Sequence, residues 1–586
     1  MLIDDKPVRS CVTPMSTIGK ASVTTLEGLG APGKLHALQK AFIEEQAVQC
    51  GYCIPGIIMS AKALLDANAK PTDGDIREAL AGNLCRCGTH TRIVRAIQRA
   101  ARELARAAPR APLPTARHAA AFSSEAAYSR SVSRWFPPST VARNKARARL
   151  ACQAAWHANR MLGANYTRPF QSHGSIGPSC AVAHWKDGKL QVWSHSQGVF
   201  PLRGDLAKAL RMAEADITVT HREGSGCYGH NGADDVALDA ALVARATNGR
   251  PVKLQWMRED EFAWEPYGSA MAIRMQAALD ETGRVVDWQH ELWSHTQSTR
   301  PYDPDGCNLL AAWHLQAPLK PGPARNIAQP AGGSDRNAIL LYSFARQMVI
   351  NHLLLDMPVR VSALRTLGAY GNVFALESFI DELAAAAGAD PLAFRLRHPT
   401  DPRARAVLEA AAARAGWLAN AQRGLSAEGT GKLKRERGIG FAKYKNLAVY
   451  CAVVIDLEVD PGNGRVRVVK ATSAADAGQI VNPDGFRNQI EGCIIQSASW
   501  TLLEAVNFDS TRMLTRTWTD YPILHFPEVP ALDVTLIDRP EERSLGVGEG
   551  SQGPTAAAIA NAFFNATGKR IRDLPLNPAR VKAALA

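Results

Sequence analysis

Between residues 33 and 107, apolar positions recur at helical spacing in four successive blocks. Gly33–Val48 sets Leu35, Leu38, Phe42 and Val48 on one face. A second block carries Ile57, Ile58, Met59, Leu64 and Leu65. A third opens at Thr72, a residue suited to capping a first turn, and buries Ile76 and Leu80; a fourth holds Ile93, Ile97 and Leu104. This predicts a compact four-helix module. Upstream, residues 2–11 read as the end of a β-hairpin with Asp4-Asp5 in its turn. Downstream, 108–160 is rich in Ala, Pro, Ser and Arg, includes Pro109, Pro112, Pro114, Pro137 and Pro138, and reads as a linker.

Beyond about residue 160 the pattern turns to mixed strands and helices. Val453, Ile455, Leu457 and Val459 alternate with polar residues; Pro461-Gly-Asn-Gly464 then turns the chain into Arg465–Lys470, a hairpin. Ala375–Gly388 predicts a helix closed by glycine, and another starts at Asp390-Pro391. The fold class is therefore α+β: the four-helix module at 31–107, the linker, and a large mixed α/β region divided into 161–425 and 426–586.

Composition adds little to this. The chain is 46% hydrophobic and 21% charged, ordinary for a globular protein. It has no run of 18 apolar residues, so no membrane span is expected. Its start lacks a basic segment followed by an apolar one, and its eleven cysteines show no disulfide-like spacing, which points to a reducing, cytoplasmic compartment. The net charge of +13 comes almost wholly from residues 86–150, where 13 Arg and one Lys face two Glu. We read this as a solvated arginine-rich helix entering a linker, and expect no nucleic-acid partner.

Four cysteines change the picture. Cys50-Gly-Tyr-Cys53 and Cys85-Arg-Cys87 are separated by 31 residues, with the first pair expected to end helix one and the second to end helix three. Zinc also accepts four thiolates, but its sites usually use two C-x2-C knuckles. The tighter C-x-C pair fits thiolates shared over a two-iron cluster.

Two glycine-rich loops follow. Gly224-Ser-Gly226-Cys-Tyr-Gly229 lies after the strand-like Ile217–His221 and before a helix-like Val236–Ala246 and a strand-like Val252–Trp256. With Glu259 or Asp260 as the ribose acid, this imitates a dinucleotide-binding unit and supports an NAD-binding dehydrogenase as one alternative. Against it, His230–Asp235 delays the helix. The second loop, Gly548-Glu-Gly550-Ser-Gln-Gly553, has Pro554 at a first helical position and only 33 residues after it. Both loops present backbone N–H groups suited to a pyrophosphate or an oxo group.

Taken together, these motifs resemble the molybdenum hydroxylases of the xanthine dehydrogenase/aldehyde oxidase family, most of all the isoquinoline oxidoreductase and nicotinate dehydrogenase branch. Gln49–Gly56 and Gly82–Gly88 resemble the helical [2Fe-2S] domain of the small subunit, and Arg9–Pro14 the end of the plant-type [2Fe-2S] domain before it, making 1–30 its remnant. The stretches His195–Gly198, Gly224–Gly232, Leu364–Asn372, Glu377–Leu383, Asp476–Pro483, Asn488–Gly492 and Gly546–Gly550 resemble the molybdopterin-binding subunit in order. The resemblance implies that Cys50, Cys53, Cys85 and Cys87 ligate one cluster and that Gln49 approaches the cofactor. It implies that Gln197, Tyr228, Gly229, Arg365 and Gln489 line a molybdenum–pterin site, with the pterin as the cytosine dinucleotide. Glu549 becomes the catalytic base, deprotonating the oxygen nucleophile that attacks an electron-poor ring carbon or an aldehyde carbon. Electrons would leave through [2Fe-2S] to an acceptor protein or partner subunit.

Departures set further expectations. Cys11 stands without the upstream cysteines of a plant-type loop, so one cluster is expected rather than two. The linker runs almost directly into Tyr166–Phe170, where the family has a substantial front portion, so the chain reads as a small subunit joined to a truncated catalytic one. Gly550 and Cys493 stand where relatives more often have proline and glycine. A catalytically inactive iron–sulfur electron-transfer protein is the other alternative.

Overall fold

The computed structural model describes residues 1–107, 160–398, 401–417 and 433–586. The linker expected at 108–160, save its last residue, and the boundary expected at 425/426 lie outside the described residues. The chain forms two compact units. The first takes Met1–Cys85, the helix ending at Ala107 and the short segment His525–Pro527; Arg86–Gly88 and the rest form the second.

In the first unit, β1 (Leu2–Ile3), β2 (Lys6–Pro7) and β3 (Val23–Thr24) form a small antiparallel sheet in the order β2-β1-β3. Asp4 and Asp5 take left-handed conformations in the expected turn. Helix α1 (Ala37–Glu44) is shorter than its apolar pattern suggested. His36 caps it, its ring accepting from Leu38 N while Gln39 bonds back to His36 N. The chain leaves the helix at Gln46, whose φ is 45°. Leu38 and Phe42 are buried, whereas Leu35 and Val48 fall outside the helix and stay exposed.

Helix α2 (Ile54–Ala67) begins with Cys53 as its N-cap, so the first cysteine pair precedes the second helix rather than ending the first. Thr72 caps α3 (Asp73–Ala79) reciprocally with Asp75, and Ile76 and Leu80 are fully buried as expected. Cys85 lies beyond the end of α3, before α4 (His90–Ala107), which buries Ile93 and Ile97.

Among its described residues the second unit holds three four-stranded sheets. One is built by β4 (Arg160–Arg168) with three later strands; the second by β5 (Cys180–Lys186) and β6 (Lys189–Ser194) with two later strands. Between them in sequence come α5 (Val199–Leu210), β7 (Ile217–His221), α6 (Ala233–Arg245), β8 (Val252–Gln255) and α7 (Arg258–Trp264). The order of the second sheet is β7-β6-β5-β8, so β7 and β8 sit on opposite edges. The first sheet is completed by β9 (Met271–Leu279), β10 (Val285–His295) and β11 (Gln347–Leu354).

Helix α8 (Ala369–Ala386) starts six residues before the expected Ala375. Gly371 and Asn372 are weak helix formers, but packing overrides propensity: a Cβ at Gly371 would lie 2.8 Å from the Met271 sulfur. Helix α9 (Pro391–Leu396) starts where expected, capped by Asp390, and α10 (Pro402–Ala415) follows. Strands β12 (Lys434–Lys443), β13 (Tyr450–Val459) and β14 (Val466–Asp476) are antiparallel, with the expected hairpin in register Val459↔Val466. Helix α11 (Pro483–Leu502) crosses to β15 (Ala531–Ile537), which pairs parallel to β14.

Helix α12 (Gln552–Thr567) packs so closely on β12 that a Cβ at Gly440 would meet the Pro554 carbonyl at 2.4 Å; α13 (Pro578–Leu585) closes the chain. Pro554 is the third residue of α12, not the first, because the helix begins two residues earlier. A core around Trp288, Tyr370, Phe374, Phe379 and Trp500 joins the first and third sheets. Among the described residues no helix is long and apolar enough to cross a membrane.

Candidate active site

Three segments far apart in sequence meet in the second unit. Tyr228 and Gly229 are held at φ 53° and 133°, and a Cβ on Gly229 would stand 1.9 Å from the Ala363 carbonyl oxygen. Only glycine permits that approach. His230 N donates to the same carbonyl at 2.7 Å, and Arg365 N donates to Tyr228 O at 2.8 Å. Thr366 and Leu367 then adopt φ of 74° and 54°, unusual for residues with β carbons. This turn aims Thr366 N at Glu549, donating to Oε1 at 2.8 Å. Backbone strain of this kind collects at functional sites, where packing over-determines it.

The Arg365 guanidinium ties the third segment in. It donates to Gln489 Oε1 at 2.8 Å, to Gln496 Oε1 at 3.1 Å and to the Gly548 carbonyl at 3.1 Å. Cys493 Sγ donates to that carbonyl at 3.4 Å. Tyr228, Gly229, Arg365, Gln489 and Glu549 are thus brought together. Gln197 joins through Arg300, whose Nη2 donates to Gln197 Oε1 at 2.9 Å. Burial pulls the Arg300 pKa down, against Asp234, Cys227 and Glu549, which pull it up. Gln49, Cys50 and Cys53 belong to the loop between α1 and α2 of the first unit, and Cys85 follows α3 there. Cys87, in the second unit, places its sulfur 3.1 Å from the Tyr228 hydroxyl.

Several contributors give no signal in the sequence. Tyr444, 105 residues before Glu549, donates its hydroxyl to Glu549 Oε2, and Arg336 Nη1 donates to that hydroxyl at 2.7 Å. Burial and the Glu549 charge push the Tyr444 pKa well up, so it remains a donor. Arg86, the middle residue of Cys-Arg-Cys, is buried and donates to both carboxylate oxygens of Glu504, at 2.6 and 2.8 Å. Burial opposes its charge, but Glu504 outweighs that and raises its pKa. Two departures also find their reasons. A Cβ at Gly550 would strike Val449 Cγ1 at 2.3 Å, and the Cys493 thiol bonds the carbonyl next to Glu549.

The residues fit a bound pterin. Both polar atoms of the Gln552 side chain and Nε2 of Gln496 are buried, and among the described residues they find no hydrogen-bond partner. Native structures rarely leave such groups unsatisfied, and a heterocycle bearing donors and acceptors would satisfy them. A Cβ added at Gly546 would meet nothing within 4 Å, so open space adjoins this loop. For the thiols, Gly51 and Gly88 each turn at φ 80° beside a cysteine pair. Among the described residues no three His, Cys, Asp or Glu surround a single-ion position. A two-iron centre divides its four thiolates over two irons, a different arrangement.

The first glycine loop does not make a dinucleotide fold. Its flanking strands lie on opposite edges of their sheet, its third glycine abuts the Ala363 carbonyl, and Glu259 and Asp260 sit in the first turn of α7. The NAD alternative is therefore set aside on geometry.

Comparison with known proteins gives the family. Residues 25–98 match the family described as [2Fe-2S] binding domain, and residues 138–317 and 374–530 match two molybdopterin cofactor-binding domain families. The chain is 40% identical over 435 residues to one subunit of the nicotinate dehydrogenase of Pseudomonas putida, covering 73% of this chain and 35% of that one. It is 55% identical over 103 residues to the alpha subunit of the isoquinoline 1-oxidoreductase of Brevundimonas diminuta, covering 18% of this chain and 67% of that one. Its fold resembles the aldehyde oxidoreductase of Desulfovibrio gigas, with a TM-score of 0.76 at 18% identity over 100% of this chain and 94% of that one. The chain belongs to the xanthine dehydrogenase/aldehyde oxidase family of molybdenum hydroxylases. It spans about a third of the length of the first of these relatives.

Proposed function

We propose that the chain works in a molybdenum-dependent hydroxylase or dehydrogenase that oxidises an N-heterocyclic aromatic, nicotinate- or isoquinoline-like, or an aldehyde. The observation that carries this reading is the pair of adjacent backbone donors, Arg365 N to Tyr228 O and Thr366 N to Glu549 Oε1, which sets one carboxylate beside the glycine loop. A molybdenum–pterin, as the cytosine dinucleotide, would supply oxygen transfer from water and accept two electrons. Gln197, Tyr228, Gly229, Arg365 and Gln489 would hold it, and Gln552 and Gln496 would satisfy its ring.

Glu549 takes the proton of the attacking oxygen. Thr366 N and the Tyr444 hydroxyl occupy one lone pair on each carboxylate oxygen, orienting the group and leaving lone pairs free to accept that proton. Cys50, Cys53, Cys85 and Cys87 would hold one [2Fe-2S] cluster, with Gln49 beside it, passing electrons to an acceptor protein or partner subunit. The relatives are named as separate subunits, in keeping with partner chains.

Metal analysis of the purified protein, with activity measured for wild type and Glu549→Gln, tests this. We expect molybdenum and iron together, and an activity loss of roughly a hundredfold or more in the variant with molybdenum retained. Iron alone would instead support the inactive electron-transfer protein. A fully active Glu549→Gln enzyme would remove Glu549 from the role of base.

A further inference from the structure

The turn that carries Tyr444 also carries a cation, Lys445, that no carboxylate pairs with among the described residues. Lys445 and Asn446 take consecutive left-handed conformations, φ 57° and 56°. Asn337 fastens the turn from both sides, donating to Lys443 O at 2.8 Å and accepting from Lys445 N at 2.9 Å. Asn446 Nδ2 donates to Ile339 O at 3.0 Å. The turn is therefore rigid, and the Tyr444 hydroxyl on the Glu549 carboxylate holds it in register with that group.

The other cations here are committed. Arg336 donates to Tyr444 Oη and to the carbonyls of Ala331 and Gly332, and Arg365 to Gln489, Gln496 and Gly548. The Lys445 ammonium lies 5.3 Å from the Tyr444 ring centroid, and among the described residues no carboxylate pairs with it. It is half-buried; burial and Arg336 lower its pKa while Glu549 raises it. A half-buried ammonium on the turn whose tyrosine bonds Glu549 can receive an anion.

We propose that Lys445 receives the carboxylate of an anionic aromatic substrate and holds the ring with its reactive carbon facing Glu549. This rests on the reaction proposed for the site and narrows its substrate class to carboxylated rings.

The test uses the holoenzyme, as wild type and as the variants K445M, K445R and K443M, with nicotinate and its neutral amide as substrates. In K445M the ratio of kcat/KM for nicotinate over the amide should fall roughly tenfold or more, the loss residing in KM. K445R should recover much of it, and K443M, which removes a neighbouring charge, should leave the ratio in place. An unchanged ratio in K445M, an equal fall in K443M, or loss of molybdenum from K445M (a cofactor anion being the true partner) would overturn the proposal. Should wild type oxidise neither compound, the reaction assignment fails instead. Calorimetric binding of benzoate then decides on Lys445 alone: roughly tenfold weaker in K445M upholds the receptor, and equal affinity rejects it.

Discussion

At the scale of single residues, the site is a set of hydrogen bonds that fix the position of one carboxyl group. Glu549 accepts from one backbone amide and one phenol, and the phenol is itself held by Arg336. Tyr444→Phe keeps the ring and removes only the donor. We expect kcat to fall roughly tenfold, since a hydrogen bond to a charged group contributes about 1.5–3 kcal/mol, with KM and molybdenum content little changed. An unaltered kcat would show that Thr366 N suffices. Neither Tyr444 nor Lys445 belongs to a motif, so neither is legible in the sequence. By contrast Tyr228, Arg365, Gln489 and Glu549 each sit in a short stretch whose glycines mark a constrained backbone, and all four converge.

At the scale of elements, local signals hold where the chain satisfies itself and fail where packing decides. Thr72 caps its helix as read, and the helix expected near Asp390-Pro391 starts there with Asp390 as its cap, because a cap is a contact over two or three residues. Helix α8 starts earlier than its pattern implies because burial against β9 and β10, rather than propensity, stabilises its first turn. There His290 of β10, fully buried, faces Asn372 of α8, Nε2 to Oδ1 at 3.2 Å, and burial lowers its pKa to about 4.

The ring is thus neutral in the folded state, while the unfolded chain takes up a proton below about pH 6.5. The unfolded state binds more protons between those values, so stability falls as pH drops through this window. The penalty reaches about 3 kcal/mol near pH 4. Thermal melts at pH 7 and 4.5 should show that fall. His290→Leu should flatten the slope while lowering stability at pH 7, because Asn372 Oδ1 loses its partner. A slope identical to wild type would place the pH sensitivity elsewhere.

At the scale of the whole molecule, the chain contains two compact units. Cys50, Cys53 and Cys85 belong to the first, and the residues around Glu549 to the second. If the thiolates hold iron and the second unit holds the pterin, the two metals should separate on substitution. Cys85→Ser should cost the protein most of its iron while leaving molybdenum in place. Loss of both metals together would mean that one site is built only after the other is filled. The Cys-Arg-Cys spacing points to a cluster, but not to the pairing of Arg86 between the thiols with Glu504, 418 residues away.

The amino-acid sequence alone determined which backbone segments are special: the thiol pairs, the two glycine loops, and the Leu364–Asn372 and Asn488–Gly492 stretches. Such features are local, since spacing and glycine content constrain the few residues around them. Tertiary structure decided that β7 and β8 lie on opposite edges, which removes the dinucleotide reading, and that Tyr444, Arg336 and Lys445 stand around Glu549. Those facts depend on strand order and on hydrogen bonds between residues a hundred or more positions apart, and no local pattern encodes them.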